Sequence, residues 1–90
     1  MWILTKVICD ENYSVYSVKN FAFNAKDENK AKGIVIKQMQ KDEIRKEDIK
    51  EFEGMDEDTV GVWDVSECRY IIYKFCKVDD IEKIKQIKGV

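Results

Sequence analysis

Histidine and proline are absent from this 90-residue chain, and arginine occurs twice against fourteen lysines. Without histidine, a general acid or base would have to be Asp, Glu, Lys, Tyr or Cys. A zinc site would likewise lack its usual imidazole ligand. The three cysteines, Cys9, Cys68 and Cys76, are odd in number and form no CxxC pair. If Cys68 and Cys76 share one strand they stand roughly 26 Å apart, at about 3.3 Å per residue, which no disulfide spans. Free thiols in a reducing cytoplasm are the expectation, with a bridge from Cys9 to one of the others as the alternative. The four glycines fall at no dinucleotide-binding or P-loop spacing. The longest uncharged run, residues 12–18, is polar and too short to cross a bilayer. Lys6 interrupts the opening apolar residues before a secretory core forms. No membrane association and a cytoplasmic location are therefore expected. Abundant Lys and Ile with no Pro or His hint at an AT-rich gene, of bacterial or mobile-element origin.

What the chain does carry is charge, 38% of its residues, summing to only −2. The distribution is uneven. Residues 1–41 are net +3, residues 42–68 are net −8, and residues 69–90 return to +3. A field of this kind lacks the basic face that a phosphate backbone requires. A chain of this length buries roughly 60–65% of its extended surface, and residues 1–90 read as one domain of modest stability.

The densest apolar and aromatic stretch is residues 59–78, TVGVWDVSECRYIIYKFCKV. It reads as two strands around a turn at Ser66-Glu67. Trp2–Cys9 reads as a first strand and Tyr13–Phe23 as a second. The turn cluster Asp10-Glu11-Asn12 joins them. Lys19-Asn20 marks a candidate bend or bulge in the second strand, and Gly61 a bulge or close backbone contact in the third. Asn24–Lys41 reads as a helix capped by Asn24 or Asp27, with Ala31, Ile34, Val35 and Met39 at helical spacing. Gly33 inside it costs about 1 kcal/mol relative to alanine. Asp48–Phe52 suggests a short helical turn that tucks Ile49 and Phe52 inward and ends at Gly54. Asp79–Lys88 reads as a final helix, with a capping pair at Asp79 and Glu82 and a stripe of Ile81, Ile84 and Ile87. The expected fold is α+β, ββαββα: a four-stranded, mostly antiparallel sheet with two helices packed on one face.

The fourth strand is apolar on both sides. Ile71, Tyr73 and Phe75 alternate with Tyr70, Ile72 and Cys76. A strand with one wet face should instead alternate apolar with polar. Either residues 42–58 fold over the second side, or that side meets a partner. Trp63, Tyr70, Ile72 and Tyr73 are the candidate anchors, because large aromatics dominate interface energetics. The expected function is a non-enzymatic protein-interaction domain, foremost a homodimer.

Two alternatives stand beside it. The segment from Asp42 to Asp58 is net −6 and includes Asp56, Glu57 and Asp58. It could engage a basic partner site as an acidic inhibitor or nucleic-acid mimic. The sheet aromatics, with Lys74 and Lys77, could instead bind nucleic acid. That reading is disfavoured because Tyr70 and Tyr73 should lie on opposite faces. No catalytic, cofactor-binding or metal-binding residue is assigned. Asp64 and Glu67 read as solvated turn charges, and Cys68 beside Arg69 has no base to activate it.

Overall fold

Two β-branched, aromatic runs open the chain as a hairpin. β1 (Trp2–Asp10) and β2 (Val15–Phe23) pair antiparallel, with Trp2 opposite Phe23. In this computed structural model, which describes residues 1–78, two helices follow, α1 (Glu28–Lys41) and α2 (Lys46–Gly54). β3 (Thr59–Asp64) and β4 (Arg69–Lys77) close the described part. The strands form one antiparallel sheet in the order β2-β1-β4-β3. Among the described residues the element order is therefore ββααββ, an α+β fold. The helix expected over Asp79–Lys88 lies outside the described residues.

Neither expected bulge forms. Lys19 and Asn20 pair regularly with Lys6 and Thr5, and the Thr5 hydroxyl meets the Asn20 side-chain oxygen at 2.8 Å. The irregularity falls instead between Ile8 and Cys9, next to the tight Asp10–Ser14 turn. Gly61 sits opposite Ile72 in an unbroken register with no positive φ. The expected turn around Asp48–Phe52 is a full helix of nine residues.

Of the two possible caps, Asp27 starts α1. It is extended, and its Oδ1 accepts from the Lys30 amide at 2.8 Å. The helix ends in a Schellman motif. The amide of Ile44 donates to Met39 O and that of Glu43 to Gln40 O, both at 3.1 Å. Glu43 takes the left-handed position with φ 59°. Glycine is usual there, and a side chain costs about 1–2 kcal/mol.

Ala31, Val35 and Met39 of α1 and Ile49 and Phe52 of α2 are buried in one cluster with Trp2, Leu4, Val62, Ile71, Tyr73 and Phe75. The Phe52 and Phe75 rings stack at 6.3 Å, and the Trp2 indole packs against Phe75 at 5.9 Å. The strand members of the cluster recur at every second position, so they project from one side of the sheet. Residues 42–58 therefore join the Tyr73 and Phe75 side through Ile49 and Phe52. They do not wrap over the side that carries Tyr70 and Ile72.

One polar knot stitches this cluster to the helix end. The Tyr73 hydroxyl donates to Asp42 Oδ2 at 2.7 Å, and Lys6 Nζ reaches the same oxygen at 2.9 Å. Asp42 is the C-cap of α1, Lys6 lies on β1 and Tyr73 on β4. Partial burial pushes the Asp42 carboxyl up. Hydrogen bonds from Lys6 and Tyr73, the Lys6 charge and Gln38 outweigh that and hold it below the ordinary 3.8. Burial, then the hydrogen bond to Asp42, pushes the Tyr73 phenol well above its usual value of 10.0.

The lowered Asp42 value makes the knot stabilising at neutral pH. That contribution is lost as pH falls below the unfolded-state value near 3.8 and through the lower folded one. Asp42→Asn should cost about 1.5–3 kcal/mol near neutral pH, the range for hydrogen bonds to a charged group. It should also flatten the loss of stability on acidification below about pH 4. Urea titrations of the two proteins at neutral and acid pH would show both effects.

Candidate interaction surface

The cross-strand register sorts the opposite side of the sheet into rows. Trp63, Tyr70 and Cys9 form the first, and Gly61, Ile72, Val7 and Val18 the second. Thr59, Lys74, Thr5 and Asn20 make a polar third row, and Cys76, Ile3 and Ala22 the fourth. Three apolar rows are thus broken by one polar row. None of these residues belongs to the cluster that the described helices share with the sheet.

Two turns at one end of the sheet frame the first row, and both use an aspartate that ends a strand. Asp10 Oδ1 accepts from the amides of Asn12 at 2.8 Å and Ser14 at 2.9 Å. Asp64 Oδ1 accepts from the Ser66 amide at 3.1 Å and its hydroxyl at 2.7 Å, while Arg69 Nε holds Asp64 Oδ2 at 3.0 Å. The Ser66 hydrogen bonds and the contact with Arg69 outweigh desolvation and lower the Asp64 carboxyl below its usual range. Such side-chain-to-backbone bonds specify a turn within a few residues.

The first turn forces Tyr13 into the left-handed region at φ 63°. That conformation costs about 1–2 kcal/mol for a residue with a side chain. In return the Tyr13 ring stacks on Tyr70 with centroids 5.0 Å apart and planes 12° from parallel. Tyr70 also meets Trp63 at 4.5 Å in a tilted pair. Aromatic pairs of this kind are worth about 0.5–1.5 kcal/mol beyond area burial. The three rings form a ridge, with Cys9 buried beneath it at 2% exposure. Tyr13 stands 67% exposed and Trp63 36%.

Three of the four anchors expected from sequence are thereby brought together. Trp63 and Tyr70 are direct cross-strand partners, and Ile72 lies in the next row. Tyr73 does not join them. It is fully buried on the helix side with its hydroxyl on Asp42, so no partner reaches it without unfolding the core. Sequence reasoning omitted Tyr13, whose place in the ridge depends on a turn geometry that periodicity does not report. The Asp-x-Asn spacing of residues 10–12 is the signal that points to that turn.

The ridge also bears on nucleic acid. Tyr13 and Tyr70 spend their facing ring surfaces on each other, so no base can stack between them without parting the pair. Asp56, Glu57 and Asp58 are exposed in the loop before β3, where the Asp58 carbonyl accepts from the Phe75 amide at 3.0 Å. A cleft of ≈ 360 Å³, with Trp63 in its wall, lies between the α1–α2 connection and the β3–β4 turn. Both arginines line it, and each is already paired, Arg45 with Asp48 and Arg69 with Asp64. All three cysteines are free, and among the described residues no group of three acidic or thiol side chains is arranged to hold a metal.

Comparison with family models, curated proteins and solved structures returns no match. Among the described residues no helix is long and apolar enough to cross a membrane.

Asp10→Ala removes the acceptor that shapes the Tyr13 turn. A loss of about 1–3 kcal/mol is expected, from two exposed hydrogen bonds at roughly 0.5–1.5 kcal/mol each. Faster hydrogen exchange should appear at the Asn12 and Ser14 amides and not at Ser66, whose turn depends on Asp64.

Proposed function

We propose that this protein is a non-enzymatic interaction domain that self-associates through the side of the sheet carrying Trp63, Tyr70 and Ile72. The observation that carries the reading is the pair of apolar rows, Trp63-Tyr70-Cys9 and Gly61-Ile72-Val7-Val18, standing apart from the helix-covered core. A contiguous apolar patch of this kind is typical of an association surface.

The relief of the surface favours a second copy as the occupant. A two-fold contact must be self-complementary, so each copy has to offer both a projection and a recess. Trp63 projects, and Gly61 leaves the neighbouring row low two residues away on the same strand. The fold itself does not require glycine at that position. An added Cβ would meet only Ile72 Cγ1, at an ordinary 3.8 Å, and φ is not positive. Trp63 of one copy, laid over Gly61 and Ile72 of the other, fills the recess twice about one axis.

Gly61→Val separates association from folding. It should leave stability unchanged or higher, since valine suits a strand better than glycine. It should also block the recess and shift the protein toward monomer in sedimentation at micromolar concentration. Trp63→Ala should act in the same direction. Association between apolar faces persists at high salt, whereas an acidic surface around Asp56, Glu57 and Asp58 would hold a basic partner only at low salt. If Gly61→Val and Trp63→Ala both sediment like the parent protein, this face is not the contact.

A further inference from the structure

β3 is a terminal strand of the sheet, so among the described residues one of its backbone edges has no strand partner. Such an edge presents a row of N–H and C=O groups that an extended chain can join. The cleft of ≈ 360 Å³ touches three consecutive residues of this strand, Val62, Trp63 and Asp64. Neighbouring side chains of a strand point to opposite sides of the sheet, so a cavity that meets all three runs along the strand edge. The β3–β4 turn continues this wall, and the α1–α2 connection forms the other. Its volume lies within the range of ligand sites, about 300–1,000 Å³. Charge selects what such a groove takes. Asp42, Glu43 and Asp48 line the helical wall and Asp64 and Glu67 the strand and turn, against two guanidiniums. Three of these five carboxylates are matched: Asp42 by Lys6 at 2.9 Å, Asp48 by Arg45 at 2.9 Å and Asp64 by Arg69 at 3.0 Å. The same pairs neutralise both arginines. Glu43 and Glu67 are left over, one from each wall, both exposed and without a cationic partner among the described residues.

We propose that this cleft is a docking groove for an extended segment of a basic protein partner, which adds as a strand beside residues 62–64 and sets an arginine or lysine between Glu43 and Glu67. Main-chain hydrogen bonds to the β3 edge supply the attraction, and the two glutamates choose the side chain. The unmatched carboxylates repel an anion and reward a cation, so charge complementarity fixes the sign of the occupant. It also disfavours a second copy of this chain at the same place. Pairing β3 with β3 would bring Asp64 and the Asp56-Glu57-Asp58 loop against their equals, and like charges across a strand pair are destabilising. The arginines retain N–H groups beyond those spent on Asp48 and Asp64, and these can donate to carbonyl oxygens of the added segment. The groove shares Trp63 with the sheet face proposed for self-association, whereas Glu43 and Glu67 lie outside that face. Those two residues therefore separate the contacts.

The test offers immobilised protein three pools of acetylated, amidated five-residue peptides, with varied flanks and a central arginine, glutamine or glutamate. Retained peptides are counted by mass spectrometry at low salt. Arginine-centred peptides should be retained roughly tenfold over glutamate-centred ones, from two exposed charge pairs gained in one case and opposed in the other, with glutamine between. Glu43→Lys combined with Glu67→Lys should reverse the order, which a folding defect would not do. Asp56→Lys combined with Glu57→Lys makes the same change of charge outside the cleft and should leave the order as it is. In the parent protein, the arginine pool should shift the backbone amides of residues 43–48 and 62–67. Equal retention of the three pools, or an order unchanged by the Glu43 and Glu67 substitutions, overturns the groove. So does a reversal in the Asp56 and Glu57 variant, which would assign the selection to the field of the whole acidic segment. The Glu43 and Glu67 variant should sediment like the parent protein, so the groove and the self-associating face stand or fall separately.

Discussion

β4 is paired on both edges and apolar on both sides, and most of the architecture answers that constraint. It lies between β1 and β3, so neither of its backbone edges meets water. Ile71, Tyr73 and Phe75 project to the side where α1 and α2 bring Val35, Met39, Ile49 and Phe52. Tyr70, Ile72 and Cys76 project to the other. Among the described residues, two helices of fourteen and nine residues cover a limited width of sheet. They converge on β4 and β1 and leave β2 overhanging. The described residues thus complete one hydrophobic layer and present the makings of another.

Polar chemistry is used sparingly and where it fixes geometry. The Schellman end of α1 places Asp42 over the sheet, where Lys6 and Tyr73 converge on one carboxylate oxygen. That knot joins two strands to the helix terminus and satisfies the only phenol in the core. At one end of the sheet, Asp10 and Asp64 each close a turn by the same local hydrogen bonding. Because both turns border the row of Trp63 and Tyr70, the ridge is held between two rigid corners. The left-handed backbone at Tyr13 and Glu43 sits at these well-tied corners, where several hydrogen bonds or a ring stack offset its cost.

Much of this was legible from residue pattern. The two-sided greasiness of Arg69–Lys77 marked the central strand, Asp27 was one of two visible caps, and the Ile49 and Phe52 spacing marked the inward side of α2. Other features were hidden for physical reasons. Bulge positions depend on how a turn closes, so Lys19-Asn20 and Gly61 looked irregular although their pairing is regular. Tyr73 looked like an anchor because an aromatic in a doubly apolar strand carries no mark of which side will be covered. The helices that pack on its side place it in the core, and its hydroxyl finds Asp42, thirty-one positions away. Tyr13 read as the first residue of a strand, whereas the Asp10 side chain makes it part of a turn.

The central claim is that the row containing Trp63 is covered by another copy of the chain. The most direct measurement is acrylamide quenching of Trp63 fluorescence in a Trp2→Phe protein, followed over a dilution series at high salt. The account predicts that quenching is weak at high concentration and rises on dilution, in step with the loss of associated species in sedimentation. Quenching that stays constant across the series would show that Trp63 meets the same surroundings in every state, and the claim would not survive it.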